Sequence, residues 1–465
     1  MTLQVFPRNG RAPWRSRFRQ TPTAGPSLTS STFLPLKISL LWLIGTFLLF
    51  FIVGDVQRVR NLESLVLFIA ITTIAFAVGY FLRAKSWSAS PGAARSVDSF
   101  RGVEGWILAS SAYLLIYGIL LLLAYGIDSP TKVWAAVSNP GESYFYRLRE
   151  ADLGERNLGV QILTLMAVLS TPAVPFLILS WDRLRARVKA LAVVGIISYC
   201  VYWLAIGTLK GLGDLVVFAG VALLLRGAAS PRSFTKRTRR ILFSLIATFS
   251  LYMVVNQADR LSSEGQTSGR EPSDLVRALM GDELAHGLAV TLAYPTQGYL
   301  GLSYNLDTPF VWAQGRGASR ALDSYWSQYM GSESVLELTY PYRTELLTGW
   351  PWDMYWATLY PWIASDISFW GVPIFMGVVG WWLAKLWLEA LHLNRKISIL
   401  LLAQMGILIA YVPANNQIAI TRPGLIAFST LVIAYGLLTV HRWVSRRLSP
   451  SKYAKGVSSR THVPE

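Results

Sequence analysis

Apolar residues fall into long runs along this chain, and the charged residues are expelled into short blocks between them. Ten such runs stand out, at about 34–54, 62–82, 105–126, 157–181, 190–208, 211–226, 240–257, 368–388, 397–413 and 423–441. A helix of about 20 apolar residues crosses roughly 30 Å of hydrocarbon, so each run reads as a span. A soluble protein of similar apolarity intersperses its charges at helical spacing instead. The pattern predicts an all-α polytopic integral membrane protein of about ten transmembrane helices.

Composition agrees: 53% of residues are hydrophobic and 15% are charged, against a charged share of about 25% in soluble domains. The formal charge of +17 does not point to nucleic acid, because the basic residues sit in blocks beside the spans. The blocks "RAKSWSASPGAARSVDSFR", "WDRLRARVK", "RGAASPRSFTKRTRR" and "LNRK" alternate with the spans and fall on the same side as both tails. That side holds 27 of the 43 Lys and Arg residues, and the positive-inside rule makes it cytoplasmic. The expected organisation is a basic cytosolic tail at 1–33, a seven-span bundle at 34–257, a large external loop at 258–367, the last spans at 368–441 and a second basic cytosolic tail at 442–465. The single cysteine, Cys200, lies in an apolar run and excludes a disulfide framework.

One run carries an unexpected charge. "IISYCVYWLAIGTLKGLGDLVVFAGVALLLRG" holds Lys210 and Asp214 amid apolar residues. Two spans fit if the chain reverses at "GTLKGLGD", which puts Lys210 at the outer surface. There it either snorkels to headgroups or holds an anionic substrate, since a cation against the positive-inside trend needs a reason.

The outer side carries more such cations: Arg147, Arg149 and Arg156 in the loop after the third span, Arg277, Arg316, Arg320 and Arg343 in the large loop, and Arg422 at the mouth of the last span. Guanidinium groups grip phosphate oxygens through paired hydrogen bonds, and this set suits a diphosphate at a membrane surface. Ten of the eighteen tryptophans lie between Trp312 and Trp387. They suit either an interfacial belt or stacking on sugar rings. The stretch "TLAYPTQGYLGLSYNL", 291–306, is too short and too broken by Pro295 and Gly298 to span, and predicts an interfacial or re-entrant helix. Candidate general bases are Glu333, Glu337, Glu345, Asp353, Asp366 and His286, with Glu150 and Asp152 as an acidic pair. Asp282 and His286 stand four apart, but no second ligand pair accompanies them, so no metal site is expected.

The layout resembles the Wzy-type oligosaccharide repeat-unit polymerases, which build O-antigen and exopolysaccharide. The resemblance rests on "AIGTLKGLGDLVV" at a span-to-span turn, "YPTQGYLGLSYNL" after a long outer linker and "WATLYPWIASDISFWGVPIFMGVVG" entering the next span, over residues 100–440. At Asp366 the chain departs from the shorter Asp-Phe-Gly-type step of that family. The resemblance implies a GT-C-like, metal-independent glycosyltransferase of the bacterial inner membrane, with both termini cytoplasmic. It would join undecaprenyl-diphosphate-linked oligosaccharides on the periplasmic face, needing no cofactor because the glycosyl diphosphate already carries the energy. Membrane lipids, a repeat-unit flippase and a chain-length regulator would be its partners. Glu337, Asp366 and His286 become the catalytic candidates. Arg147, Arg149, Lys210, Arg316, Arg320, Arg343, Arg422 and Tyr299 become substrate contacts. An O-antigen ligase would use the same donor. A flippase would need charges at mid-span to line its path, and the spans here are nearly free of them.

Overall fold

The computed structural model describes residues 31–87, 102–149, 157–229, 236–264, 272, 274–393 and 395–448, and the regular structure among them is entirely helical. The first helices are α1 (Leu34–Val53), α2 (Leu62–Lys85), α3 (Val103–Ala124), α4 (Pro130–Ser138) and α5 (Pro140–Arg149). They are followed by α6 (Leu158–Leu165), α7 (Ala173–Ser180), α8 (Ala186–Ala205), α9 (Lys210–Ala229) and α10 (Lys236–Glu264). A lobe of short helices comes next: α11 (Asp274–Met280), α12 (Asp282–Ala293), α13 (Gln297–Leu306), α14 (Arg320–Met330) and α15 (Tyr340–Thr348). The chain closes with α16 (Tyr360–Leu393), α17 (Lys396–Tyr411), the single turn α18 (Gln417–Ile420) and α19 (Arg422–Leu448).

Eight of these helices, α1, α2, α3, α8, α9, α10, α16 and α19, are long and apolar enough to cross a membrane. Their outward faces are apolar as well: Leu41, Ile52, Ile374 and Trp370 are all more than two-thirds exposed. A soluble fold would bury such surface, whereas lipid accepts it. The start of α2 shows how local sequence sets the ends, since the Asn61 side chain accepts the Ser64 backbone N–H at 3.0 Å.

Two of the ten expected spans are not straight helices of full length. The run at 157–181 is broken: α6 and the segment Ala167–Arg183 meet at 70°. Pro172 and Pro175 lie beyond the break, within the second segment, and neither can donate a helical N–H. The freed backbone is satisfied from α3, where the Ser110 hydroxyl donates to the Leu169 carbonyl and accepts from the Ala173 N–H. The run at 397–413 yields α17, which has only 16 residues and a length of about 24 Å. It is buried along nearly its whole length, from Ser398 to Ile409. A helix enclosed by other helices need not match the hydrocarbon thickness itself.

The bundle has two distinct ends. Tyr80 donates to the Thr32 carbonyl and Trp387 to the Ser31 carbonyl, while the Trp87 and His392 rings stack at 6.3 Å. The start of α1 and the ends of α2 and α16 therefore lie together. Lys396, Arg395 and the last turns of α19 line one cavity at this same end, which we call the basic end. The lobe sits at the other end, and both ends of the described chain lie at the basic one.

The lobe is not a simple loop over 258–367. Helix α10 continues to Glu264, and α16 begins at Tyr360, eight residues ahead of the expected span start at 368. That expected start coincides instead with a kink, where Ser368 has φ 58°. Helix α13 packs against α1: Tyr299 is 2% exposed and bonded to Thr46 Oγ1 at 2.8 Å. Thr46 lies seven residues before the lobe end of α1, so α13 enters the bundle to a depth of about 10 Å. The stretch 291–306, expected as an interfacial or re-entrant helix, holds the end of α12 and all of α13. The chain ahead of α16 dips in similarly, with the Leu359 N–H bonded to the Val412 carbonyl at 2.9 Å and Tyr360 edge-on to Phe68.

Candidate functional site

Lys210 begins α9 directly after the expected reversal, where Gly207 adopts φ 63°, a conformation that costs glycine little. Its ammonium forms an ion pair with Asp214 at 2.8 Å, one helical turn on. Asp214 is 8% exposed, and Lys210 is a quarter exposed at its side chain. Lys210 is thus not an isolated cation. It balances a carboxylate within its own helix. Removing one partner of a fully buried pair costs about 3–5 kcal/mol, and the partial exposure of Lys210 brings this down to about 2 kcal/mol. Lys210→Gln should therefore lower thermal stability in detergent, and adding Asp214→Asn should recover most of the loss. A double variant less stable than Lys210→Gln alone would contradict the pairing.

The remaining cations separate into two groups. Helix α5 places Arg147 and Arg149 on a cavity of about 230 Å³, walled by Tyr125, Glu142, Tyr146 and Ile206. Here the α4–α5 hairpin leans against the turn that ends α8. The Arg147 guanidinium lies 5.3 Å from the Tyr144 ring centre, and Arg260 covers the same ring at 3.8 Å. Arg260 also donates to the Gly207 carbonyl, and Asp259 accepts the Gly141 N–H at 2.6 Å, so α10 fixes both walls. Among the described residues, the buried Nε of Arg147 has no hydrogen-bond partner. A buried guanidinium N–H left without an acceptor is costly, and an anion in this cavity would supply the acceptor.

The second group surrounds α14 in the lobe. Arg316 is only 8% exposed and pairs with Asp323 at 3.3 Å, donating also to Ser332 and Gln314. Its donors point into the lobe, so Arg316 holds the loop rather than a substrate. Arg320 covers the Trp352 ring at 4.4 Å. Burial pulls its guanidinium below the ordinary arginine range, opposed by the Asp353 charge. Arg422 lies over the Tyr325 ring at 5.0 Å and donates to Ser324 and Gln328, joining α19 to α14. Arg343 is separate from both groups and donates to the Pro309 carbonyl at 2.7 Å.

The catalytic candidates occupy different local settings. Asp366 accepts N–H groups from Gly317 at 3.1 Å and Ala318 at 2.8 Å, one on each oxygen. This engages the carboxylate as the clamp of the "GRGAS" loop, and Asn416 adds a bond to the Ala318 carbonyl. Asp366, expected as a catalytic carboxylate, thus has both oxygens in hydrogen bonds to that loop. Tyr299, expected to contact substrate, is a core residue whose ring packs on Phe47 and Phe50. His286 Nδ1 donates to the Asp282 carbonyl at 2.9 Å, within the first turn of α12. Glu337 is exposed on a short turn at Leu336–Leu338 and keeps its carboxylate in solvent. Glu345 accepts the Trp352 N–H, which sets the Trp352–Asp353 corner. Glu150, Asp152 and Arg156 lie outside the described residues, as do most of the two basic tails and part of the "RGAASPRSFTKRTRR" block.

Sequence reading missed Arg260, Tyr125 and Glu142. Arg260 carried a usable signal, since it is a cation just past the non-basic end of an apolar run. No protein-family model matches the chain, and neither a curated protein nor a solved structure does.

Proposed function

We propose that the chain is a membrane glycosyltransferase that polymerises lipid-diphosphate-linked oligosaccharides, with the lobe end facing outward and the basic end in the cytosol of a bacterial inner membrane. The observation that carries this reading is the buried Nε of Arg147, unpartnered among the described residues, in a cavity shared with Arg149. Two guanidinium groups in a partly desolvated recess match the two phosphates of a polyprenyl diphosphate.

Glycosyl transfer from such a donor needs little else. Cations fixed in place stabilise the leaving diphosphate as its charge develops. The hydroxyl of a second unit attacks the anomeric carbon while the bond to the diphosphate oxygen breaks. A carboxylate takes up the hydroxyl proton, and Glu142 on the cavity wall is placed for that. The aromatic surface about Trp352 and Tyr325, with Arg320 and Arg422 beside it, offers flat faces for the glycan.

The test is glycan length on cells that lack the chain. Deletion should leave single repeat units on the surface acceptor, and plasmid-borne expression should restore the ladder. Long polymer retained on the carrier lipid in the deletion strain would instead assign the chain as a ligase. Repeat units trapped on the cytosolic leaflet would make it a flippase.

A further inference from the structure

Toward the basic end, two cations on the flank of the bundle have no acid as an ion-pair partner among the described residues. Arg83, in the last turn of α2, lies 5.2 Å from the Trp87 ring centre and 5.5 Å from that of Trp381 on α16. Lys385, one turn beyond Trp381, places its ammonium 5.2 Å from the same ring and 5.1 Å from that of Tyr435 on α19. Trp381 thus carries a guanidinium and an ammonium at once. Arg83 donates to the Ser86 hydroxyl at 3.3 Å, but its buried Nε has no hydrogen-bond partner among the described residues. The charged groups within reach of Lys385 are Glu389, Arg83 and Arg395. Glu389 is 4% exposed and already engaged: it pairs with Arg395 at 2.7 Å, and accepts from Ser398 at 2.7 Å and Tyr435 at 3.0 Å. Three cations around one carboxylate leave this cluster positive.

Aromatic faces attract a cation, but they give its N–H groups no oxygen acceptor, and a buried guanidinium N–H without one is costly. A lysine that only snorkels stretches its ammonium into water, whereas Lys385 keeps its own between two rings. What lies below the cations is apolar. Ile374, Val378, Trp381 and Lys385 are spaced four, three and four residues apart, so they share one face of α16. Along it Ile374, Val378 and Trp381 are 73%, 58% and 39% exposed. A cationic head therefore stands over an apolar stripe open to hydrocarbon. We propose that Arg83 and Lys385 bind the phosphate of an anionic phospholipid whose acyl chain lies along Trp381, Val378 and Ile374. Basic pockets between spans are known to select such headgroups. Inorganic phosphate offers the same oxygens but has nothing to lay on the stripe.

The experiment is a titration of the purified, delipidated full chain with phosphatidylglycerol in neutral detergent, read by native mass spectrometry and thermal unfolding. Parallel arms use phosphatidylcholine with the same acyl chains, and excess inorganic phosphate. Phosphatidylglycerol should bind and raise the unfolding temperature, while the other two should do neither. Arg83→Gln and Lys385→Gln each remove one charge, and each should weaken binding about fivefold. Arg83→Lys keeps the charge and should retain most of the affinity, so the Arg83 pair tests the site even if Lys385→Gln folds poorly. Lys85 is exposed two residues from Arg83, and Lys85→Gln should leave binding unchanged, which separates this site from the general basic charge of that end. Equal binding of phosphatidylcholine would overturn the proposal, as would displacement of phosphatidylglycerol by inorganic phosphate. An equal loss in Lys85→Gln, or wild-type affinity in Arg83→Gln, would overturn it too.

Discussion

Replacing Gly380 by leucine is expected to remove nearly all folded protein from the membrane. Helices α2 and α16 run side by side in the same direction, from Phe68 against Phe369 to Trp87 against His392. Between these points the backbones touch. A Cβ built on Gly380 would overlap the Phe76 carbonyl oxygen, and one on Gly79 would overlap the Gly377 carbonyl. Membrane helices approach this closely through small residues, because packing rather than water exclusion drives their association. Overpacking a core costs about 1–3 kcal/mol when side chains can yield. Here the obstacle is backbone, so the cost should exceed about 3 kcal/mol. Gly45→Leu is the matched control, since nothing lies within 4 Å of a Cβ at that position on α1. Size-exclusion profiles of detergent extracts measure the difference. A monodisperse peak at wild-type yield from Gly380→Leu would show that α2 and α16 are not packed as described.

Arg147→Ala should leave the amount of protein unchanged and shorten the glycan to one or a few repeats. Loss of one fixed donor to a developing oxyanion typically costs about 100-fold or more in rate, and polymer length follows from repeated transfers. Arg147→Lys should also be impaired, because an ammonium cannot reproduce the paired geometry of a guanidinium. The Arg147 side chain makes no ion pair or hydrogen bond among the described residues, so its loss leaves no buried acid exposed. Arg316→Ala provides the contrast. It strips Asp323 of its cation and should reduce the yield of folded protein before it reduces polymer length. Wild-type ladders from Arg147→Ala would remove the diphosphate role of the α5 cavity.

Much of the fold can be read from the sequence, because a lipid-facing helix must be apolar over its whole length. That requirement marks α1, α2, α3, α8, α9, α10, α16 and α19 without knowledge of what they pack against. It fails for α17, which is enclosed by protein and can end early at Tyr411. It also misses the 70° break between α6 and the segment Ala167–Arg183, which no proline marks. The short stretch after Tyr294 is recognisable as non-spanning by length alone, but its depth is set by Thr46, some 250 residues away.

The site was less legible, for a related reason. Residue type identifies which groups are able to grip phosphate, whereas availability depends on their partners. Asp214 stands one turn from Lys210, so that pair could be anticipated from spacing. Asp323 is seven residues from Arg316, and the loop that Asp366 clamps lies 48 and 49 residues back, distances that carry no local pattern. Arg147 and Arg149 remain as candidates because their neighbours form a recess instead of an ion pair.

The central claim is that this chain joins lipid-linked oligosaccharides to one another. The most direct measurement is reconstitution of the purified chain in liposomes with a single polyprenyl-diphosphate-linked oligosaccharide, followed by sizing of the lipid-bound glycans. A series of products at integral multiples of the starting unit, absent with Arg147→Ala, is the expected result. Unchanged single units in the presence of folded wild-type protein, with the native repeat unit supplied, would contradict the account.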